Sequence, residues 1–216
     1  MPRIKALLFD LDGTLTHTDP IHLRAFQQLM ADEGRSMDEV AYREYISGRS
    51  NAEIGLRLFP EREAHTHPPL LARKEALFRE LAKDLIPLAG ALELMDMARQ
   101  KGMGLALVTN APRDNVDHML SAIGAAGRFD TIVYGDEMER AKPDPLPYLT
   151  ALRRLQIHAA EALAFEDSPP GIQAAKAAGT TTIGIATTRS EDELTALGAD
   201  LVVADFTDAR VLALLA

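Results

Sequence analysis

The apolar positions of this chain follow two rhythms, and the change between them divides it into unequal parts. Residues 4–11 form a short apolar run closed by Asp12, Gly13 and Thr14. Such a run ending in a turn signal predicts a buried strand. From about 16 to 86 the spacing is helical only. Ile21, Ala25, Phe26, Leu29 and Met30 repeat at intervals that place them on one helical face. Asp19 before Pro20 predicts an N-cap and a first helical residue, and Gly34 predicts the stop. Ser36 with Glu39, and Ser50 with Glu53, fit the capping-box spacing. Pro68 and Pro69 predict the opening of a further helix through Leu70, Leu71, Leu77 and Leu81.

After Pro87 apolar runs at 105–109, 131–134, 163–165, 181–185 and 201–203 alternate with helical stretches at roughly 90–101, 112–123, 145–155, 169–178 and 190–197. Strands alternating with helices predict an α/β fold whose parallel sheet is covered on both faces. The expected organisation is a core built from 1–15 and 87–216, with residues 16–86 inserted as a helical block. Hinges are expected near 15–18 and 85–90.

Composition narrows the function classes. The formal net charge is −9 and no run of Lys and Arg stands out, which argues against a nucleic-acid partner. An anionic substrate must therefore find positive charge concentrated locally. The chain has no cysteine, so disulfides, thiolate metal sites and a Cys nucleophile are excluded. The apolar run at the N-terminus is far too short to span a membrane. The expectation is a cytoplasmic monomer that acts on a small molecule, without a membrane partner.

In open α/β sheets ligands sit at the carboxyl ends of the strands. Asp10, Asp12, Thr109, Asn110, Glu166 and Asp167 all fall at the ends of apolar runs, whereas Lys142 sits in a loop with no strand immediately before it. Asp10 and Asp12, two apart, face one pocket unless the strand has already bent. Two carboxylates that close need a cation or a shared proton. Gly13 lets the chain turn there, and Asp-Gly is equally a common turn pair. Thr109 and Asn110 suit either a phosphoryl oxygen or the cap of a helix starting at Pro112. Lys142, in a backbone restricted by Pro143 and Pro145, suits either charge neutralisation of a phosphoryl group or an exposed loop. Glu166 and Asp167 suit Mg²⁺, a hard cation that favours oxygen, while Asp167 or Ser168 also suits a helix N-cap.

Together, and in this order, these residues resemble the haloacid dehalogenase-like hydrolase superfamily. The first motif, Asp-x-Asp-Gly-Thr, is matched by Asp10 to Thr14, the second by Thr109, the third by Lys142 and the acidic fourth by Glu166 and Asp167. The likeness spans essentially the whole chain. It implies a Rossmann-like doubly wound core with an inserted α-helical cap domain, similar to the β-phosphoglucomutase-like phosphatase branch of the first subfamily. It implies Mg²⁺ held by the Asp10 carboxylate, the Asp12 backbone carbonyl and Asp167, with Glu166 direct or one step removed. It also implies Asp10 as nucleophile forming an aspartyl phosphate and Asp12 as general acid and base. Lys142, Thr109 and Asn110 would hold phosphoryl oxygens. Members with dehalogenase activity lack the second aspartate, so Asp12 favours phosphoryl transfer.

In the inserted block, His22 matches a histidine that positions the acid/base in that branch. Arg24 lies on the same helix. Residues 47–51 resemble the branch's specificity loop, where Arg49 could meet a second anionic group and Asn51 a hydroxyl. Lys74 is a further candidate to reach the site. His65 and His67 are read as loop residues and not as a zinc site. The implied activity is a Mg²⁺-dependent phosphatase of a small phosphorylated metabolite, a sugar phosphate. The alternatives are a sugar-phosphate mutase, disfavoured by Ser47 where that enzyme tends to carry lysine, and a receiver-type phosphoaspartate signalling module, usually shorter and without a cap.

Overall fold

The computed structural model describes residues 3–215, so the outermost ends of the expected core segments, 1–2 and 216, lie outside it. Six strands alternate with helices: β1 (Ala6–Phe9), β2 (Gly104–Thr109), β3 (Thr131–Tyr134), β4 (Ala162–Glu166), β5 (Thr181–Ile185) and β6 (Leu201–Val203). They form one parallel sheet in the order β3-β2-β1-β4-β5-β6. The order reverses beside β1, and a crevice opens at the carboxyl ends of strands at such a switch point.

Strand alternation builds a core on each face. Leu7 and Phe9 join Leu105, Leu107, Leu163 and Phe165 on one side. Ala6 and Leu8 join Ala106, Val108, Ala162 and Ala164 on the other. The first face packs against α5 (Ala91–Gln100) and α6 (Arg113–Ala122), and the second against α7 (Leu146–Leu155) and α8 (Pro169–Ala177). The smaller residues of the second face let α7 and α8 lie close to the sheet. α9 (Glu191–Ala196) packs beside β5 and β6. A short α10 (Ala209–Ala213), which the sequence pattern did not predict, adds Val211 to the first core.

Between β1 and β2 stand α1 (Asp19–Asp32), α2 (Glu39–Tyr45), α3 (Asn51–Leu58) and α4 (His67–Leu81). They share a hydrophobic core of their own, with Phe26, Met30, Tyr42, Ile54, Phe59 and Leu71 in it. The two chain crossings into this block lie side by side. The Thr16 hydroxyl donates to the Ile86 carbonyl at 2.7 Å, and the Leu88 N–H donates to the Leu15 carbonyl at 2.7 Å. No helix of the described residues is long and apolar enough to cross a membrane.

Three local expectations are corrected. The N-cap of α1 is Thr18, not Asp19, and its hydroxyl makes no capping bond because it is turned to Asp12. The N-cap of α2 is Asp38, whose carboxylate accepts the Ala41 N–H at 2.8 Å, so the Ser36–Glu39 box does not form. His67 is not in a loop: it opens α4, buried, with its ring against the Phe59 carbonyl at 3.0 Å. The Ser50–Glu53 box forms as expected.

Candidate active site

The ends of β1 and β4 deliver four acidic residues to a single crevice, and a loop adds one lysine. Asp10 follows β1, Glu166 ends β4 and Asp167 follows it. Carboxylate oxygens of these three lie within 4.8 Å of one another, and all three residues are buried. Lys142 enters from the loop before α7 and is itself buried. Its ammonium donates to Asp10 at 2.6 Å, to the Val108 carbonyl at 2.7 Å and to Glu166. The loop lysine expected from sequence thus lies beneath the site, where its charge is shared by two carboxylates.

Glu166 accepts further from the Tyr148 hydroxyl at 2.6 Å and from Ser168 at 3.3 Å. Its oxygens are satisfied, and it fixes the lysine. Asp167 differs. Its oxygens meet the Thr188 hydroxyl at 2.7 Å and the Thr14 hydroxyl at 3.4 Å, and among the described residues no cation pairs with it. Burial pushes its pKa well up, and the charges of Asp10, Asp19 and Glu166 push the same way. Burial also lifts the Asp10 pKa to about 8, against the pull of Lys142. Between Asp10 and Glu166, Lys142 is held firmly protonated. An oxygen-only donor set with one carboxylate lacking a counter-ion fits a hard divalent cation.

Gly13 makes this closeness possible. Its φ is +73°, and a Cβ there would lie 2.2 Å from Asp167 Oδ2. The turn therefore brings Asp12 over the site while leaving room for the acidic pair. Asp12 accepts from the Thr18 hydroxyl at 2.6 Å and lies 3.0 Å from His22 Nε2. Burial raises its pKa, but the bonds and charge from His22, with Thr18 and Lys74, outweigh that and lower it overall.

The inserted helices supply the rest. His22 stacks flat on Phe78, with centroids 3.8 Å apart. Lys74 Nζ lies 3.4 Å from His22 Nδ1 and 2.7 Å from Glu75. Asp12, held ionised by its lowered pKa, can only accept, so an N–H on Nε2 points to it. Lys74 is buried, contrary to the ordinary solvated lysine of a helix face. Glu75 accepts from Asn51 at 2.9 Å and from Asn115 of α6 at 2.6 Å. Arg49 lines the same space, and its buried Nε has no hydrogen-bond partner. Arg24 is exposed and takes no part.

Thr109 Oγ1 accepts the Ala111 N–H at 2.9 Å, which leaves its own proton free for an oxygen in the crevice. Asn110 is otherwise engaged: its amide donates to the Gly48 carbonyl at 3.0 Å and to the Lys142 carbonyl at 3.3 Å. Neither residue caps α6, whose N-cap is Pro112. Among the described residues His65 and His67 join no metal-binding group. Sequence reasoning did not single out Thr18, Glu75, Asn115, Tyr148 or Thr188. Thr18 had one available signal, its six-residue distance from Asp12. The others reach the site only through tertiary packing.

Known proteins share the sequence and the fold. Residues 7–185 match the family described as haloacid dehalogenase-like hydrolase. The chain is 33% identical over 210 residues to the validoxylamine A 7'-phosphate phosphatase of Streptomyces hygroscopicus subsp. limoneus, covering 95% of this chain and 96% of that one. It is 34% identical over 192 residues to protein CbbY of Rhodobacter capsulatus, covering 82% of each. The crystal structure of CbbY from Rhodobacter sphaeroides in complex with phosphate superposes with a TM-score of 0.87 at 31% identity, covering 98% of this chain and 99% of that one. On these matches this chain belongs to the haloacid dehalogenase-like hydrolases.

Proposed function

We propose that this hydrolase is a Mg²⁺-dependent phosphatase of a small sugar phosphate, working through an aspartyl phosphate on Asp10. The observation that carries the reading is the position of Asp10. It lies at the end of β1, 2.6 Å from the Lys142 ammonium, inside the acidic triad and next to Asp12. The named phosphatase among its relatives supports the reaction class.

Asp10 and Asp167 would hold Mg²⁺ with the Asp12 carbonyl, and Glu166, bound to Lys142 and Tyr148, would stand one step removed. When bound, the ion screens Asp10 from the anionic substrate and neutralises charge on the transferring group. An Asp10 carboxylate oxygen attacks phosphorus in line, and the bond from phosphorus to the leaving oxygen breaks. Asp12 supplies the proton that the leaving oxygen takes. Water then attacks the phosphoryl group on Asp10 while Asp12 takes its proton, which restores Asp10 and releases phosphate. Lys142 and the free Thr109 hydroxyl stabilise the phosphoryl oxygens.

Asp12 needs both protonation states. Its lowered pKa suits the second step. A phosphoryl dianion beside it raises the pKa for the first step, since like charge disfavours the ionised form. The His22 Nε2 proton keeps Asp12 aimed at the leaving oxygen, with Lys74 fixing the ring. Asn110 holds the inserted block closed through Gly48, and Arg49 with Asn51 faces oxygen substituents of the leaving group. Residues 16–86 act as a cap that excludes water when shut.

The test is phosphate release from a panel of sugar phosphates, with Mg²⁺ and with EDTA. Turnover that needs Mg²⁺ is expected. Conversion of β-glucose 1-phosphate to glucose 6-phosphate without phosphate release would replace hydrolysis by mutase activity.

A further inference from the structure

A buried polar pair joins the two sides of the crevice while bonding neither Asp10 nor Asp12. Asn115 stands in the first turn of α6, on the core, and is 1% exposed. Two residues of α4 hold its side-chain amide. Arg79 donates to Oδ1 at 2.7 Å, and Nδ2 donates to Glu75 Oε2 at 2.6 Å. A cation on the oxygen and a carboxylate on the nitrogen fix that amide in one orientation.

Glu75 divides its two oxygens. Oε1 takes Asn51 at 2.9 Å and Lys74 at 2.7 Å, both from the inserted helices, while Oε2 takes Asn115 from the core. Burial raises the Glu75 pKa, but the charges of Lys74 and His22, with bonds from Lys74 and Asn51, lower it overall. It is therefore a carboxylate and accepts at both oxygens. Lys74, buried, stands 4.5 Å over the Phe26 ring and 3.4 Å from His22 Nδ1. His22 lies 3.0 Å from Asp12. Polar contacts thus run in series from α6 through Glu75, Lys74 and His22 back to Asp12. Among the described residues Asn115 is the donor to Oε2. Without it a buried carboxylate oxygen is left unsatisfied, which is costly, and Glu75 must turn to recover a bond. Lys74, held by the same carboxylate, moves with it.

We propose that Asn115 and Glu75 are positioning residues for the general acid. Asn115 senses the docking of α4 on α6, and Glu75 passes that to Lys74 and so to the His22 ring that aims Asp12. The proton donor is then in place when α4 is seated on the core. This inference rests on the phosphatase reading and adds to it the residues that set its acid.

The experiment exchanges donor and acceptor across the pair. Asn115→Asp sets two carboxylates against each other. Glu75→Gln sets donor against donor, at Asn115 in one amide orientation and at Asn51 and Lys74 in the other. The double variant restores the bond in reverse, with an amide at 75 donating to a carboxylate at 115 that still accepts from Arg79. Initial rates with Mg²⁺ give kcat/KM for the best sugar phosphate of a panel and for p-nitrophenyl phosphate. This ratio covers the steps through departure of the leaving group. A sugar alkoxide needs a proton to leave, and a nitrophenolate leaves without one. Each single change is expected to cut the sugar-phosphate kcat/KM by at least about tenfold and the nitrophenyl value by at most about threefold. The double variant should regain the sugar-phosphate value to within about threefold of wild type, since the pair is coupled. Thermal melts establish that each variant folds, and if Asn115→Asp does not, Glu75→Gln against the double variant decides. Equal losses on both substrates, no loss in Glu75→Gln, or a double variant no better than Glu75→Gln would overturn the positioning role and leave a structural clasp. No phosphate from either class of compound by wild type would overturn the phosphatase reading beneath it.

Discussion

The two sides of the crevice are built differently. On the core side, Asp10, Glu166 and Asp167 ride on or next to the parallel strands β1 and β4, and Lys142 lies buried among them. Those strands are tied to their neighbours along their length, so the acids have little freedom. On the inserted side, His22 and Lys74 sit on separate helices, α1 and α4, and Arg49 sits before α3. They meet the core through a few contacts: Asn110 to the Gly48 carbonyl, Arg43 to the Thr188 carbonyl at 2.6 Å and Asn115 to Glu75. One side is part of the folding core, and the other is held against it by contacts that can be made and broken. Chemistry and stability should therefore be coupled on the first side and separable on the second.

Lys142→Ala should break that comparison most violently. It leaves Asp10 and Glu166 buried without their cation, and losing one member of a buried pair costs about 3–5 kcal/mol. The expected result is a fall in Tm of about 10 °C, with kcat reduced by at least about 10³-fold. Differential scanning calorimetry and a steady-state assay measure the two together.

Asp12→Asn should separate them. The amide keeps the shape and can still bond Thr18, so Tm should move by less than about 3 °C, within the range of a mild polar change. The kcat should fall by about 10²–10⁴-fold with the loss of the general acid and base. A large loss of Tm here would mean that Asp12 belongs to the core side.

His22→Ala removes an aiming group that does not itself transfer the proton. A loss of about 10–100-fold in kcat is expected, smaller than for Asp12. The acid limb of the pH–rate profile should shift upward, because the His22 bond is a principal influence holding the Asp12 pKa down. An unchanged profile would make His22 a packing residue on Phe78.

The smallest effect concerns the metal and pH. Without a cation, burial raises the pKa of Asp10 to about 8 and that of Asp167 well above its usual value. The folded state therefore keeps protons that the unfolded chain releases near pH ~4. Stability falls as pH rises from there to about 8, because the native state binds more protons in that window. Mg²⁺ competes with those protons, so its stabilisation should grow with pH. The Tm gain from millimolar Mg²⁺ should be roughly twice as large near pH 8.5 as near pH 6.

The same contrast explains what the sequence made legible. Asp10, Asp12, Thr109, Glu166 and Asp167 fall at the ends of apolar runs, and the parallel topology sends strand ends to one place. Their convergence followed from pattern and fold class. The burial of Lys142 depended on the loop before α7 folding under the site, which its proline-flanked sequence did not specify. Tyr148 reads as one more apolar helical position, yet its hydroxyl completes Glu166. Glu75 and Asn115 are 40 residues apart, and nothing local pairs them. At α2 the expected Ser36 box gave way to Asp38, whose carboxylate lies nearer the helix. Residues whose role is fixed by their own strand were readable, while those set by the docking of the inserted helices needed the fold.

The most direct test of the account is to find where the phosphoryl group rests. The enzyme would be quenched during turnover with Mg²⁺ and substrate, reduced with borohydride and mapped by peptide mass spectrometry, with Asp10→Asn assayed in parallel. The account predicts reduction of an acyl phosphate to homoserine at position 10 and no turnover by Asp10→Asn. A phosphoryl group on any other side chain, or turnover surviving in Asp10→Asn, would contradict it.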